Sequence, residues 1–253
     1  MKKSAAIIIG ASGGLGLALC KEWQKDNAIG MVIAISRSDF PPDESNDESN
    51  DESSLHHIHC DYSEASIVNN CVQIKTLMKD SGIDVIARVC ICNGILHNEN
   101  IWPEKRIEDI SVSAMQEIFT INSIVPLLWL KALVSIVNGQ HNCMIAVFSA
   151  RIGSIGDNRT GGWYSYRASK AALNMLLKTA AIEYQRRAKN VKLIAFHPGT
   201  TDTNLSKPFQ RSVKQGNLLT AQYVADHLVR IMNTLPVDGK LSFIDWENKT
   251  IVW

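Results

Sequence analysis

The stretch Ile7–Leu19, "IIIGASGGLGLAL", decides how the chain is read. Three isoleucines run into a glycine-rich turn, and beyond it apolar residues recur at the spacing of an amphipathic helix. Gly10, Gly14 and Gly16 stand at that seam. Small residues there let the chain turn, let backbone amides approach a pyrophosphate, and let helix and strand pack closely. The helix N-terminus then faces the negative charge. Glycine patterns of this kind also occur in plain loops, but the position between a first strand and a helix points to a dinucleotide site.

The same alternation continues along the chain. Strand-like apolar runs occur at 5–9, 31–35, 55–59, 85–91, 144–148, 191–196 and 241–244, with helix-period segments at 14–25, 63–81, 113–138, 163–187 and 221–234. Continuous Val/Ile-rich strands alternating with helices predict a parallel sheet covered on both faces. The expected fold is α/β: one doubly wound, Rossmann-type domain over residues 1–253, with a seven-stranded parallel sheet flanked by helices.

One segment has no structural period. Residues 41–54 contain "DESNDESNDESS", with six acids, no base and nothing apolar to bury. It reads as a disordered low-complexity loop after the second strand, either a tolerated expansion or an acidic flap at the adenosine end of a cofactor. Its six acids leave 19 acids against 26 bases elsewhere. Those bases are scattered and have no interleaved aromatics, so nucleic acid is not an expected partner. No window holds the roughly 18–20 uninterrupted apolar residues of a membrane span, and the basic-then-apolar start reads as a buried strand. Six cysteines without CxxC or His/Cys metal spacing suggest reduced thiols, no metal and a cytoplasmic location.

Further landmarks follow in order. Tyr166 and Lys170 lie four apart in "GWYSYRASKAALN" (Gly162–Asn174), on one face of a helix. "CNGIL" (Cys92–Leu96) follows the fourth strand, "TINSIVP" places Asn122 within the third helix, and "FHPGTTDT" (Phe196–Thr203) follows the sixth strand. Together with the G-x-x-x-G-x-G turn, these motifs resemble the short-chain dehydrogenase/reductase family over essentially the whole chain. "SARIGSIGDNRTGGWYSYRASKAALN" and the ending "GKLSFIDWENKTIVW" are most similar to its C-factor and sniffer-type carbonyl reductase branch.

The resemblance implies an NADP(H)-dependent oxidoreductase that interconverts a small-molecule carbonyl and its alcohol. A tyrosine with an ordinary pKa of about 10 is a competent acid at neutral pH, and a nearby ammonium would lower that value. Tyr166 is therefore the expected general acid/base. Tyr164, six residues from Lys170, is about 120° off register. By resemblance Lys170 also holds the nicotinamide ribose, and Asn122 kinks its helix and anchors a proton-relay water. The family's Ser-Ser-x-x-Gly reads "SARIG", with Ser149 on the first serine and Ala150 on the second, normally catalytic one. Ser149 is the expected substitute, through an irregular strand end; Ser154 is a weaker one, and loss of the serine is the alternative.

For the cofactor the resemblance implies contacts from Gly10, Ser12, Gly13, Gly14, Leu15 and Gly16 at the turn, and from Asn93, Gly94 and Lys170. Pro198, Gly199, Thr201 and Thr203 complete the nicotinamide end. At the end of the second strand, Ser36 and Arg37 replace the carboxylate that an NAD enzyme offers the ribose, so NADP(H) is preferred over NAD(H). Asp61, followed by Tyr62, would receive the adenine amino group, or else serve as a helix-terminal acid beside Ser63. "LSKPFQRSVKQGNL" (Leu205–Leu218), with few bulky apolar residues and several bases, reads as a flexible lid over a polar or modest-sized carbonyl. Trp102 and Trp163 either line that cleft or pack structurally. Assembly as a homodimer or homotetramer is implied by resemblance. A second reading is a C-factor-like signalling protein that binds a dinucleotide with little turnover.

Overall fold

The computed structural model describes residues 4–40, 54–214 and 216–253. Seven parallel strands form the main sheet: β1 (Ser4–Ile9), β2 (Ile29–Ser36), β3 (Ser54–His59), β4 (Ile86–Ile91), β5 (Cys143–Phe148), β6 (Val191–His197) and, after two short strands introduced below, β9 (Ser242–Asp245). Their order is β3-β2-β1-β4-β5-β6-β9. The seven-stranded sheet is thus the expected one, and each strand starts or ends within a few residues of the apolar run that announced it. The acidic run lies outside the described residues apart from Ser54, which opens β3.

The helices are α1 (Gly14–Gln24), α2 (Glu64–Asp80), α3 (Val112–Phe119), α4 (Val125–Val137), α5 (Tyr164–Arg187) and α6 (Ala221–Thr234). They cover both faces, which is why β1 is buried at every position. Ala5, Ile7 and Ile9 pack with Ile74 of α2, Trp129 and Leu133 of α4, and Leu173 and Leu177 of α5. Ala6 and Ile8 pack with Leu19 and Trp23 of α1 and Leu228 and Ile231 of α6. Truncating the fully buried Trp129 to alanine would cost roughly 3–5 kcal/mol.

The span Val112–Val137 has the length and composition of a membrane-crossing helix, contrary to the expectation from uninterrupted runs. Its apolar stripe is spent on the sheet, with Val125, Trp129, Leu130, Leu133 and Val137 buried, so it is a core helix. It is also not one helix. Between α3 and α4, Thr120–Ile124 form a π-turn centred on Asn122.

Two features escaped the sequence reading. Thr200–Thr201 (β7) and Leu218–Leu219 (β8) form a separate two-stranded parallel pair that closes the base of the lid. The lid itself carries a 3-10 helix, Lys207–Ser212. The strand order reverses direction between β1 and β4, and there the loops at the strand ends diverge and open a crevice.

Candidate active site

The glycine turn is built by exclusion. A Cβ on Gly16 would lie 2.4 Å from the Gly10 carbonyl oxygen and 2.7 Å from the Ala11 Cα, so only glycine lets the first turn of α1 pack on its own entry loop. Gly13 caps α1 without any side-chain hydrogen bond, and no acid stands in the first turn. The amides there are left for an anion. A cleft of about 540 Å³ starts at this turn and runs past Asn93, Gly94, Ser149, Tyr166 and Lys170 to Phe209 and Val213. Asn93 borders this cleft, and its Oδ1 is buried with no hydrogen-bond partner among the described residues. Glycine turn, free helix amides and orphaned acceptor all fit a dinucleotide.

Tyr166 and Lys170 project from the first turns of α5 into the same cleft. Gly153 makes this possible: a Cβ there would lie 2.7 Å from the Lys170 carbonyl carbon, so the turn Arg151–Gly153 sits flush on α5. Lys170 Nζ donates to the Phe148 carbonyl at 2.8 Å and lies 5.9 Å from the Tyr166 ring centre. Burial pushes the Tyr166 phenol up to about 12 and the Lys170 ammonium down to about 8. The expected lowering of the phenol by the ammonium is not what this geometry gives, because desolvation dominates at that separation. Tyr164 is exposed and turned away.

Asn122 is fully buried in the π-turn. It accepts from Ile95 N at 2.8 Å, and its Nδ2 donates to Ile95 O at 2.9 Å and to Ser169 Oγ at 3.1 Å. The asparagine thereby ties the loop after β4 to the helix of Tyr166. The serine position holds two candidates and a methyl. Ser149 borders the cleft, but its hydroxyl donates to Asn174 Oδ1 at 2.6 Å in a buried bond. The residue that packs with Tyr166 and Leu96 is Ala150. Ser154 is buried and its hydroxyl accepts from Asp157 N, outside the cleft lining. One face of the strand end presents a hydroxyl already engaged, the other a methyl.

Pro198, Gly199, Thr201 and Thr203, the residues expected at a nicotinamide, line the cleft. Thr201 Oγ1 donates to Pro198 O at 3.1 Å. The residues expected at an adenosine lie elsewhere. Ser36, Arg37, Asp61 and Tyr62 do not line the cleft. The Ser36 hydroxyl is buried, donating to Ser38 O at 2.7 Å and lying 2.8 Å from His57 Nε2, whereas Arg37 is exposed. Asp61 accepts from Ser63 N at 2.8 Å, and the hydrogen bonds from Ser63 hold its carboxyl below the usual range. Tyr62 adopts a left-handed backbone (φ 65°), and burial raises its phenol against a hydrogen bond from Asn93.

Sequence reasoning missed Glu104 and His197. Glu104 is only 5 % exposed and has no basic partner among the described residues; it accepts from Ser165 N at 3.2 Å and from the Ser165 hydroxyl, while its backbone oxygen accepts from Trp163 N at 2.6 Å. It caps α5 from a distant loop, and nothing local in "WPEKR" signals this. His197 borders the cleft with Nδ1 buried and unpartnered, and burial, with Arg151 nearby, pushes it down to about 4. Both depend on residues distant in the sequence, Ser165 for Glu104 and Arg151 for His197.

A glycine turn and a tyrosine–lysine helix meeting at the switch point of a doubly wound sheet define a dinucleotide-binding α/β protein. The family model described as short chain dehydrogenase matches residues 4–214, and the chain belongs to that family of oxidoreductases. It is similar to the C-signal of Myxococcus xanthus, 27 % identical over 57 % of this chain and 82 % of that protein. Among solved structures, carbonyl reductase Sniffer of D. melanogaster superposes with a TM-score of 0.82 at 20 % identity, covering 100 % of both chains. An NADPH-bound carbonyl reductase from chicken fatty liver superposes with a TM-score of 0.80 at 22 % identity, covering 99 % of this chain and 100 % of that one. These structures share the fold.

Proposed function

We propose that the chain is an NADP(H)-dependent carbonyl reductase in which Tyr166 gives its proton to the carbonyl oxygen. The observation that carries this reading is that Tyr166 and Lys170 share one continuous cleft with the glycine turn. The bound dinucleotide would supply the hydride. Tyr166, raised by burial to about 12, is fully protonated at neutral pH and stands ready as the acid. Lys170, anchored on Phe148 O, presents its remaining N–H donors to the ribose hydroxyls. Asn122 holds the loop after β4 against α5, so that the two walls of the cleft keep their spacing.

The preference for NADP(H) rests on the end of β2, where Ser36 and Arg37 stand without a carboxylate and Arg37 is exposed to meet a 2′-phosphate. The NADPH in the chicken carbonyl reductase agrees with it. A homodimer or homotetramer would cover Ile124, Met175 and Ile182, which are exposed around α4 and α5. A cytoplasmic location suits six unpaired thiols.

The test is NADPH and NADH oxidation against a panel of aldehydes, diketones and quinones, comparing wild type with Tyr166→Phe. Turnover that prefers NADPH and falls at least about 100-fold in the variant supports the reading. Equal activity in the variant overturns it. One observation favours a second reading, a dinucleotide-binding signalling protein like C-signal: Ala150 stands where a second hydroxyl would meet the carbonyl. NADPH binding with no turnover on any carbonyl would select it.

A further inference from the structure

Near the end of the chain, "DWENK" (Asp245–Lys249) builds a turn around one carboxylate. Asp245 Oδ1 accepts from Glu247 N at 3.1 Å and from Lys249 N at 2.9 Å, and Arg151 donates to its other oxygen at 3.0 Å. Asn248, at φ 62°, lets the chain reverse, and Asp245 N donates to Lys249 O at 3.0 Å. Trp246 is thereby fixed at the head of the turn, directly after β9. It is half-buried, and its ring lies 5.7 Å from Tyr223 and 5.9 Å from His227 of α6.

The pyrrole edge of that indole backs the cleft. Gly199 has φ 72°, and a Cβ there would lie 2.8 Å from Trp246 Cδ1, 2.9 Å from Trp246 Nε1 and 2.9 Å from Leu219 Cδ1. Gly199 lines the cleft and Trp246 does not, so the indole meets the turn from outside. Gly199 leads into β7, Leu219 belongs to β8, and Asp202 N donates to Leu219 O at 2.7 Å. The lid leaves the sheet from these two feet, turning Phe209 toward Trp163 at 5.0 Å and leaving Lys207 and Arg211 exposed. One side chain therefore abuts both the base of the lid and a residue expected at the nicotinamide. Close packing of this kind resists compression and passes displacement on to the backbone it touches.

We infer that Trp246 is a positioning residue for the bound dinucleotide, acting through Gly199 and the base of the lid from outside the cleft. The inference rests on the cleft holding NADP(H), and it stands whether the protein is a reductase or a sensor. A shorter side chain at 246 leaves room behind Gly199, the turn and the lid base relax into it, and the cofactor leaves sooner. The entrance to the cleft is untouched, so the effect falls on dissociation and not on association.

Stopped-flow fluorescence of NADPH with the full chain reads both rates without any turnover. Trp246→Leu is expected to release NADPH about tenfold faster, with association within about twofold of wild type. Trp246→Phe keeps a ring but loses the pyrrole edge; it should fall between, at about threefold, and it stays readable where Trp246→Leu fails to fold. Val224→Ala, a truncation of a fully buried residue of α6, controls for lost stability and should leave release unchanged. A double-mutant cycle then tests the contact itself. Gly199→Ala drives a methyl against the indole, so it should speed release at least about threefold more in the wild-type background than beside Trp246→Leu. Release unchanged in every folded Trp246 variant, an equal acceleration in Val224→Ala, or independent effects of the Gly199 and Trp246 substitutions overturns the inference. A wild type that holds no NADPH would overturn the cofactor assignment and this inference with it, whereas absence of carbonyl turnover would overturn only the reductase reading.

Discussion

The carboxylate of Glu104 receives both the backbone N–H and the hydroxyl of Ser165, the residue directly before Tyr166. At a helix N-terminus the free amides and a nearby hydroxyl supply the donors that a buried carboxyl requires. Glu104 also fixes the first turn from which Tyr166 projects.

Removing that cap should loosen the site before it unfolds the protein. Glu104→Ala leaves the Ser165 N–H buried without an acceptor, and we expect a loss of about 1–3 kcal/mol in urea denaturation. Glu104→Gln keeps one acceptor and should lose less than half of that. Turnover should fall in the same order, with kcat affected more than KM. A Glu104→Ala protein of unchanged stability would show that the cap is dispensable.

Lys170 should make cofactor affinity depend on pH. Burial brings its ammonium down to about 8, so the charged form that meets the dinucleotide is lost as pH rises through that value. Between pH 7.5 and 9.5 we expect NADPH affinity to weaken roughly tenfold in wild type and less than about threefold in Lys170→Met, which is already uncharged. Fluorescence titration across that range checks it, and parallel curves for the two proteins would contradict it.

The serine question can be put to two substitutions with opposite expectations. Ala150→Ser places a hydroxyl in the cluster beside Tyr166 and should raise kcat by up to about 100-fold, the typical worth of one carbonyl-oxygen donor. Ser149→Ala removes the bond to Asn174, whose Oδ1 is then left buried and unpaired, and should cost about 1–3 kcal/mol of stability with little change in kcat. A large loss of kcat in Ser149→Ala would return the catalytic role to Ser149.

His197 should make the fold sensitive to acid. Its folded pKa is about 4 against about 6.5 when unfolded, so the unfolded chain binds the extra proton between those values. The associated stability is fully present above pH 6.5 and is lost as pH falls toward 4, by up to about 3 kcal/mol. His197→Asn should show a flatter profile when denaturation is compared at pH 7 and pH 4.5. Identical profiles would place the acid sensitivity elsewhere.

Much of this molecule could be read in advance because the signals were local. The Val/Ile runs of β1, β2 and β6 and the periodicity of α5 and α6 need only neighbouring residues to be recognised, and Tyr166 and Lys170 declare their shared face by spacing alone. What could not be read depends on partners far away in sequence. Glu104 acquires its role 61 residues from Ser165, and the Ser36 hydroxyl is diverted by His57, 21 residues on. The lid misled for a related reason: composition counts its lysines and arginines, but only packing decides that Phe209 faces inward.

The π-turn at Thr120–Ile124 sets a condition on chain length. Relative to a regular α-helix it accommodates one additional residue in a widened turn. The helix beyond it keeps its phase, so the buried stripe of α4 from Trp129 to Val137 still meets the sheet. Deleting any one residue between 120 and 124 would let a uniform helix close with α4 in register, and would open the Asn122 clasp on Ile95. The supernumerary residue thus serves the cleft alone, and the core would not miss it.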